Sequence, residues 1–156
     1  MSALNTPERQ RRRKKIEKHR QEIKRRARLY DRESNDTISI GPEWEDFQDG
    51  PAEARIEPKY CTDEQSLVFF RVPPNTRFPL HSHRQAESVM VLSDGKHPIE
   101  EGPLVTMTME EEGGMLEEFD LDVTDVLQIP PGQLHKADID QMCVLLIAWT
   151  PGFPRD

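Results

Sequence analysis

An all-β domain preceded by a basic helical extension is the fold class this sequence predicts. Three observations carry that expectation. From Cys61 onward the chain breaks into short runs rich in Val, Ile, Leu, Phe and Thr, punctuated by Gly, Pro, Asn and Asp. Residues 1–30 lack this texture and are instead built from strong helix formers, most of them basic. Two clusters of chemistry-bearing residues, HSHRQAE and PPGQLHK, fall at strand ends within the β portion.

The first element is the arm, residues 1–30. Thr6-Pro7-Glu8 is a helix start, with a capping hydroxyl, a proline at the first helical position and a carboxylate in the first turn. The helical pattern runs through Leu29. Its apolar stripe is limited to Ile16, Ile23, Ala27 and Tyr30, too thin to bury much surface. Charge separates the arm from the rest. It holds 12 Lys or Arg against Glu8, Glu17 and Glu22, whereas the remainder is strongly acidic and brings the whole chain to −8. Such an arm could dock on an acidic protein surface of its own or another chain, contact nucleic-acid phosphates, or meet an anionic membrane surface. The charge asymmetry favours docking, and the lack of stacking aromatics in residues 1–29 argues against single-strand recognition.

Residues 31–60 read as an acidic linker containing Pro and Gly, with Trp44 and Phe47 as isolated anchors. Residues 61–156 then form the β domain. Strands are expected at 66–72, 78–83, 87–93, 103–109, 114–121, 125–130, 135–139 and 142–149, with tight turns at Asp94-Gly95 and Gly113-Gly114. This number of short strands with regular punctuation indicates an antiparallel sandwich or small barrel. If His81, His83 and Glu87 face inward, so do Val89 and Val91, leaving Ser88, Met90 and Leu92 outside. Residues 142–149 are apolar on both faces. A sheet with an apolar outer face needs cover, so a homodimer is expected.

The longest apolar run, residues 142–149, is too short to span a membrane. The basic start has no apolar core, so it does not read as a secretory signal, and it is too Ser-poor and Glu-containing for a typical transit peptide. Cys61 and Cys143 suggest neither a disulfide framework nor a cysteine metal motif, and Cys143 reads as a small buried hydrophobe. A reducing, cytoplasmic setting is expected.

The chemistry concentrates in His81, His83, Glu87 and His135. His81 and His83 share a face if they lie on one strand, because side chains alternate. Glu87 returns to that parity after a short turn, and His135 arrives from a distant strand. Imidazoles with one carboxylate suit a divalent transition metal, with Fe(II), Mn(II), Ni(II) or Zn(II) as candidates.

The spacing of the two clusters resembles the motifs of the cupin superfamily. That family's first motif is Gly-x5-His-x-His-x3/4-Glu-x6-Gly, met here by His81, His83, Glu87 and Gly95. Its second, Gly-x5-Pro-x-Gly-x2-His-x3-Asn, is met by Pro130, Gly132 and His135. Asn75 and Thr124 replace the leading glycines, Ile139 replaces the final Asn, and an extra residue before Gly95 suggests a longer hairpin. Asn tolerates a left-handed backbone, while Thr124 suggests a different turn. The resemblance covers about residues 66–150. It implies a double-stranded β-helix, or jelly-roll, barrel with one metal ion per chain held by the four ligand residues.

With three neutral imidazoles and one carboxylate, a divalent ion keeps a net positive charge and two open octahedral positions. That suits a small anionic chelating molecule. Fe(II) and a mononuclear non-haem dioxygenase reaction are favoured. The only tyrosines, Tyr30 and Tyr60, precede the expected barrel, which disfavours proton-abstraction chemistry. Arg71 and Arg77 are candidates to hold a substrate carboxylate, with surface ion pairs as their ordinary reading, and Gln133 is a candidate to line the mouth. His19 and His97 read as surface residues. The second reading is a non-catalytic cupin that binds a small molecule or metal as a sensor or assembly subunit, with the arm contacting a partner protein or nucleic acid.

Overall fold

The structure is a computed structural model and describes residues 6–31, 37–40 and 54–152. Helix α1 (Pro7–Arg26) starts as its sequence predicts: Arg9 N donates to Thr6 Oγ1 at 3.2 Å, and Arg12 pairs with Glu8 one turn earlier at 2.6 Å. It ends before Leu29. Ala27–Asp31 instead forms strand β1, which pairs with β2 (Thr37–Ile40) and with β5 (Thr76–His81). A thin-striped helix gains little by one more turn, whereas Leu29, Tyr30 and the β-branched TISI segment complete a sheet edge.

The segment read as a linker is corrected in the same way. Besides β2 it supplies β3 (Arg55–Cys61), which pairs along β4 (Ser66–Val72) and buries Ala54 and Ile56. The barrel sheets therefore begin before Cys61. Trp44 and Phe47 lie outside the described residues.

The remaining strands are β6 (Ala86–Leu92), β7 (Val105–Glu110), β8 (Leu116–Leu121), β9 (Val126–Ile129), β10 (His135–Ile139) and β11 (Cys143–Thr150). One antiparallel sheet runs β2-β1-β5-β10-β7-β8 and the other β3-β4-β11-β6-β9, and the two close into a jelly-roll barrel. No described helix is long and apolar enough to cross a membrane.

Inward residues alternate as expected. Val68, Phe70, Val72, Val89, Val91, Leu145 and Ile147 of the second sheet pack against Val105, Met107, Leu121, Ala137 and Ile139 of the first. Each of these side chains larger than alanine contributes about 1.5–3 kcal/mol by leaving water. Cys143 is fully buried in this core, and burial pushes its thiol up to about 12, with Asp94 and Asp140 adding to the effect. It is a packing residue of the core.

Two turns differ from expectation. Gly113-Gly114 does form a tight hairpin, closed by Glu111 N to Met115 O at 2.7 Å. Asp94-Gly95 instead opens the loop 93–104. The Asp94 carboxylate accepts from Lys96 N and His97 N, contacts His97 Nδ1 at 2.6 Å and pairs with Arg71 at 3.1 Å. Thr124 keeps the left-handed backbone a glycine would adopt (φ 72°), as does Asn75 (φ 66°), so the expected change of turn at Thr124 does not occur.

Candidate metal centre

Four side chains meet inside the barrel at the end where β5 gives way to β6. His81 closes β5, His83 follows in the turn, Glu87 is the second residue of β6 and His135 opens β10. The two histidines of the first cluster therefore do not share a strand. They converge because β5 ends at His81 and the turn through residues 82–85 carries His83 back over the barrel. A bulge between the β5 and β10 pairings allows His81 to sit opposite His135 while Phe78 sits opposite Ala137. Gly132 locks the second motif onto the first: at φ 78° its N–H donates to His83 O at 2.8 Å.

The histidine rings lie 4.3 to 5.7 Å apart, and one ligand nitrogen from each falls within 4.8 Å of the others. Glu87 Oε2 is 3.0 Å from His135 Nε2 and 3.4 Å from His83 Nε2. These three atoms are sealed from solvent, and none has a well-formed hydrogen bond among the described residues. Burial of unsatisfied donors and acceptors is costly, and a shared cation would resolve all of them at once. The histidine triad could hold a metal ion.

The backbone selects the tautomer that this requires. His83 Nδ1 lies 3.0 Å from Gln85 O, and His135 Nδ1 lies 2.7 Å from Gln133 O. A carbonyl only accepts, so Nδ1 carries the proton and Nε2 is free to ligate. These supports were not evident from the sequence. The signal available was the two-residue offset between each histidine and its carbonyl.

Burial opposes charge on Glu87 and on His135, but their mutual attraction outweighs it. The close approach of the His135 and His83 rings brings the Glu87 carboxyl down to about 2, and Glu87 together with the Gln133 carbonyl raises His135.

Cross-strand register sets the surroundings. Along the second sheet a row runs Ser66, Trp149, Glu87, Ile129; along the first, His81, His135, Met109, Glu117. Trp149 packs edge-on to Phe70, which packs edge-on to Phe78. Among the residues singled out by sequence, Arg71 and Arg77 are not in the site. Both alternate outward, Arg71 onto Asp94 and Arg77 into register with Asp138 and Tyr30. Gln133 uses its amide on the Glu110 and Leu134 carbonyls, tying the ligand turn to β7, and serves His135 only through its own carbonyl. Tyr30 and Tyr60 belong to β1 and β3, contrary to the expectation that both precede the barrel. Their side chains lie outside the described set.

No family model and no curated protein matches the chain. Solved structures do. An RmlC-like cupin from Shewanella frigidimarina superimposes with a TM-score of 0.51 over 67% of this chain and 81% of its own, at 15% identity. The fold is that of the cupins. A variant oxalate decarboxylase from Bacillus subtilis matches over 64% of this chain and 26% of its own (TM-score 0.53, 17% identity). A recombinant oxalate oxidase in complex with glycolate matches over 69% and 55% (TM-score 0.52, 14% identity). At these identities the likeness concerns the cupin fold alone.

Proposed function

We propose that this cupin is a mononuclear metal enzyme in which His81, His83, Glu87 and His135 hold one divalent transition metal, Fe(II) by preference, for dioxygenation of a small anionic substrate. The observation that carries the reading is the convergence of buried Nε2 and Oε2 atoms with their tautomers already set by Gln85 O and Gln133 O. A bound ion of this type would supply Lewis acidity and, as Fe(II), redox chemistry toward O₂. The chain's own contribution is to orient the imidazoles, to keep Glu87 anionic and to exclude water with Trp149, Ile129 and Met109. Oxalate oxidase and oxalate decarboxylase share the fold, so a small carboxylate as substrate is compatible with it.

A homodimer is part of this reading. Leu67, Phe69, Met90, Leu92, Val144 and Leu146 line the outer face of the second sheet and remain half-buried in one chain, a surface suited to a second copy. Oxygen consumption by Fe(II)-loaded protein against a panel of diketones, hydroxy acids, thiols and catechols tests the activity. The proposal expects turnover with one class that disappears in His135→Ala. Metal-loaded protein that consumes no oxygen with any class would instead favour the non-catalytic reading.

A further inference from the structure

Ser66 opens β4 and is fully buried, and its Oγ has no hydrogen-bond partner among the described residues. An unpaired buried hydroxyl costs free energy that an alanine in its place would not, so it points to a partner from outside the chain. Two relations place it at the level of the metal ligands. Ser66 shares the inward parity of Val68, Phe70 and Val72, and cross-strand register runs from it through Trp149 to Glu87. β4 also faces β5 across the barrel, where Phe70 meets Phe78 edge-on with ring centroids 5.8 Å apart. Only residues 73–75 join these two strands, so they run in opposite directions from that contact. Followed back from Phe70, β4 reaches Ser66; followed forward from Phe78, β5 reaches His81 and then the turn with His83. Ser66 therefore lies two strand spacings, about 10 Å, from Glu87 within its own sheet, and faces the histidine pair across the barrel.

We propose that Ser66 is a specificity residue whose hydroxyl receives a hydroxyl or carbonyl group at the far end of a small acid, the acid end of which chelates the metal. The inference rests on the metal reading of the site and adds the shape of its substrate. Between the two polar ends the row offers the ring of Trp149, which matches a short hydrocarbon span. A serine hydroxyl both donates and accepts, so either kind of oxygen satisfies it. A ligand ending in a methyl group would leave Ser66 Oγ unpaired and forgo the gain from pairing it.

The test uses full-length protein loaded with Mn(II), with uptake verified by elemental analysis. The probes share one chelating end: 2-hydroxypentanoate and its 4-hydroxy and 5-hydroxy derivatives. Binding is followed by the Mn(II) spin-resonance spectrum. Wild type should bind one of the two hydroxylated probes at least about tenfold more tightly than 2-hydroxypentanoate. Ser66→Ala and the near-isosteric Ser66→Cys should erase that preference. Both should leave Mn(II) uptake, 2-hydroxypentanoate binding and the urea midpoint of the metal-free protein undiminished. The midpoint separates a ligand-binding hydroxyl from a structural one, whose removal would lower it. Loaded wild type that prefers neither hydroxylated probe, a preference that survives in both variants, or a midpoint lowered in both overturns the inference and leaves the metal reading standing. Wild type that takes up no Mn(II) overturns both.

Discussion

Thr124 holds φ at 72°, where a β-branched side chain crowds its own backbone. Two hydrogen bonds enforce the conformation, Thr124 N to Val91 O at 2.7 Å and Val91 N to Asp125 O at 3.1 Å. Thr124→Gly should therefore stabilise the protein by about 0.5–1 kcal/mol, the relief of the left-handed strain less the added freedom of the unfolded chain. Urea denaturation measures it, and a loss of stability would show that the threonine side chain contributes more than its backbone costs. The replacement of glycine was legible in the sequence but its consequence was not, because ladder hydrogen bonds fixed the turn regardless of the side chain. The ligand residues were legible for the opposite reason: imidazole and carboxylate chemistry has few uses at that spacing. Their supporting carbonyls, Gln85 O and Gln133 O, were hidden because every residue offers a carbonyl and only the fold aims it.

At the scale of elements, the loop 93–104 depends on Asp94. Its side chain is 1% exposed and gathers two backbone N–H groups, the His97 ring and Arg71. Burial raises its pKa, but these hydrogen bonds outweigh burial and hold it well below the usual carboxylate range. A depressed folded value means the stabilisation is present above the unfolded value of about 3.9 and is lost as pH falls below it. Asp94→Asn should cost about 1–3 kcal/mol at pH 7, and the gap to wild type should close toward pH 3. Thermal denaturation of both proteins across that range checks the sign; a gap that widens on acidification would refute it. The outer face of β6 and β11 carries Met90, Leu92, Val144 and Leu146, all half-buried in one chain. Leu146→Lys should shift the protein from dimer to monomer in light scattering after size exclusion, with the metal site intact. A dimer that persists would place the interface elsewhere. The alternating burial of these strands followed from the sequence, since period-two patterning is local. That Asp94-Gly95 opens a long loop did not, because the anchor, Arg71, is distant in sequence.

At the scale of the whole molecule, the barrel incorporates more of the N-terminal region than its composition suggested. β1, β2 and β3 all derive from segments read as arm or linker, and α1 lies against β2 and β3. Sheet edges recruit such segments through backbone pairing, which leaves a weak trace in composition. A truncation that probes the basic arm should thus stop at Arg26, since Ala27–Asp31 pairs with β5. Removing residues 1–26 should leave metal uptake unchanged and abolish salt-sensitive binding to polyanions, read by retention on heparin. Unaltered retention would exclude the arm as its source.

Two sheets and two motifs converge on one candidate metal centre, and calorimetric titration of the metal-free protein with Mn(II) tests whether it binds. One ion per chain is expected, with affinity reduced at least about 100-fold in Glu87→Gln and in His135→Ala while both variants remain folded. Binding that is absent from the wild type, or undiminished in those variants, would contradict it.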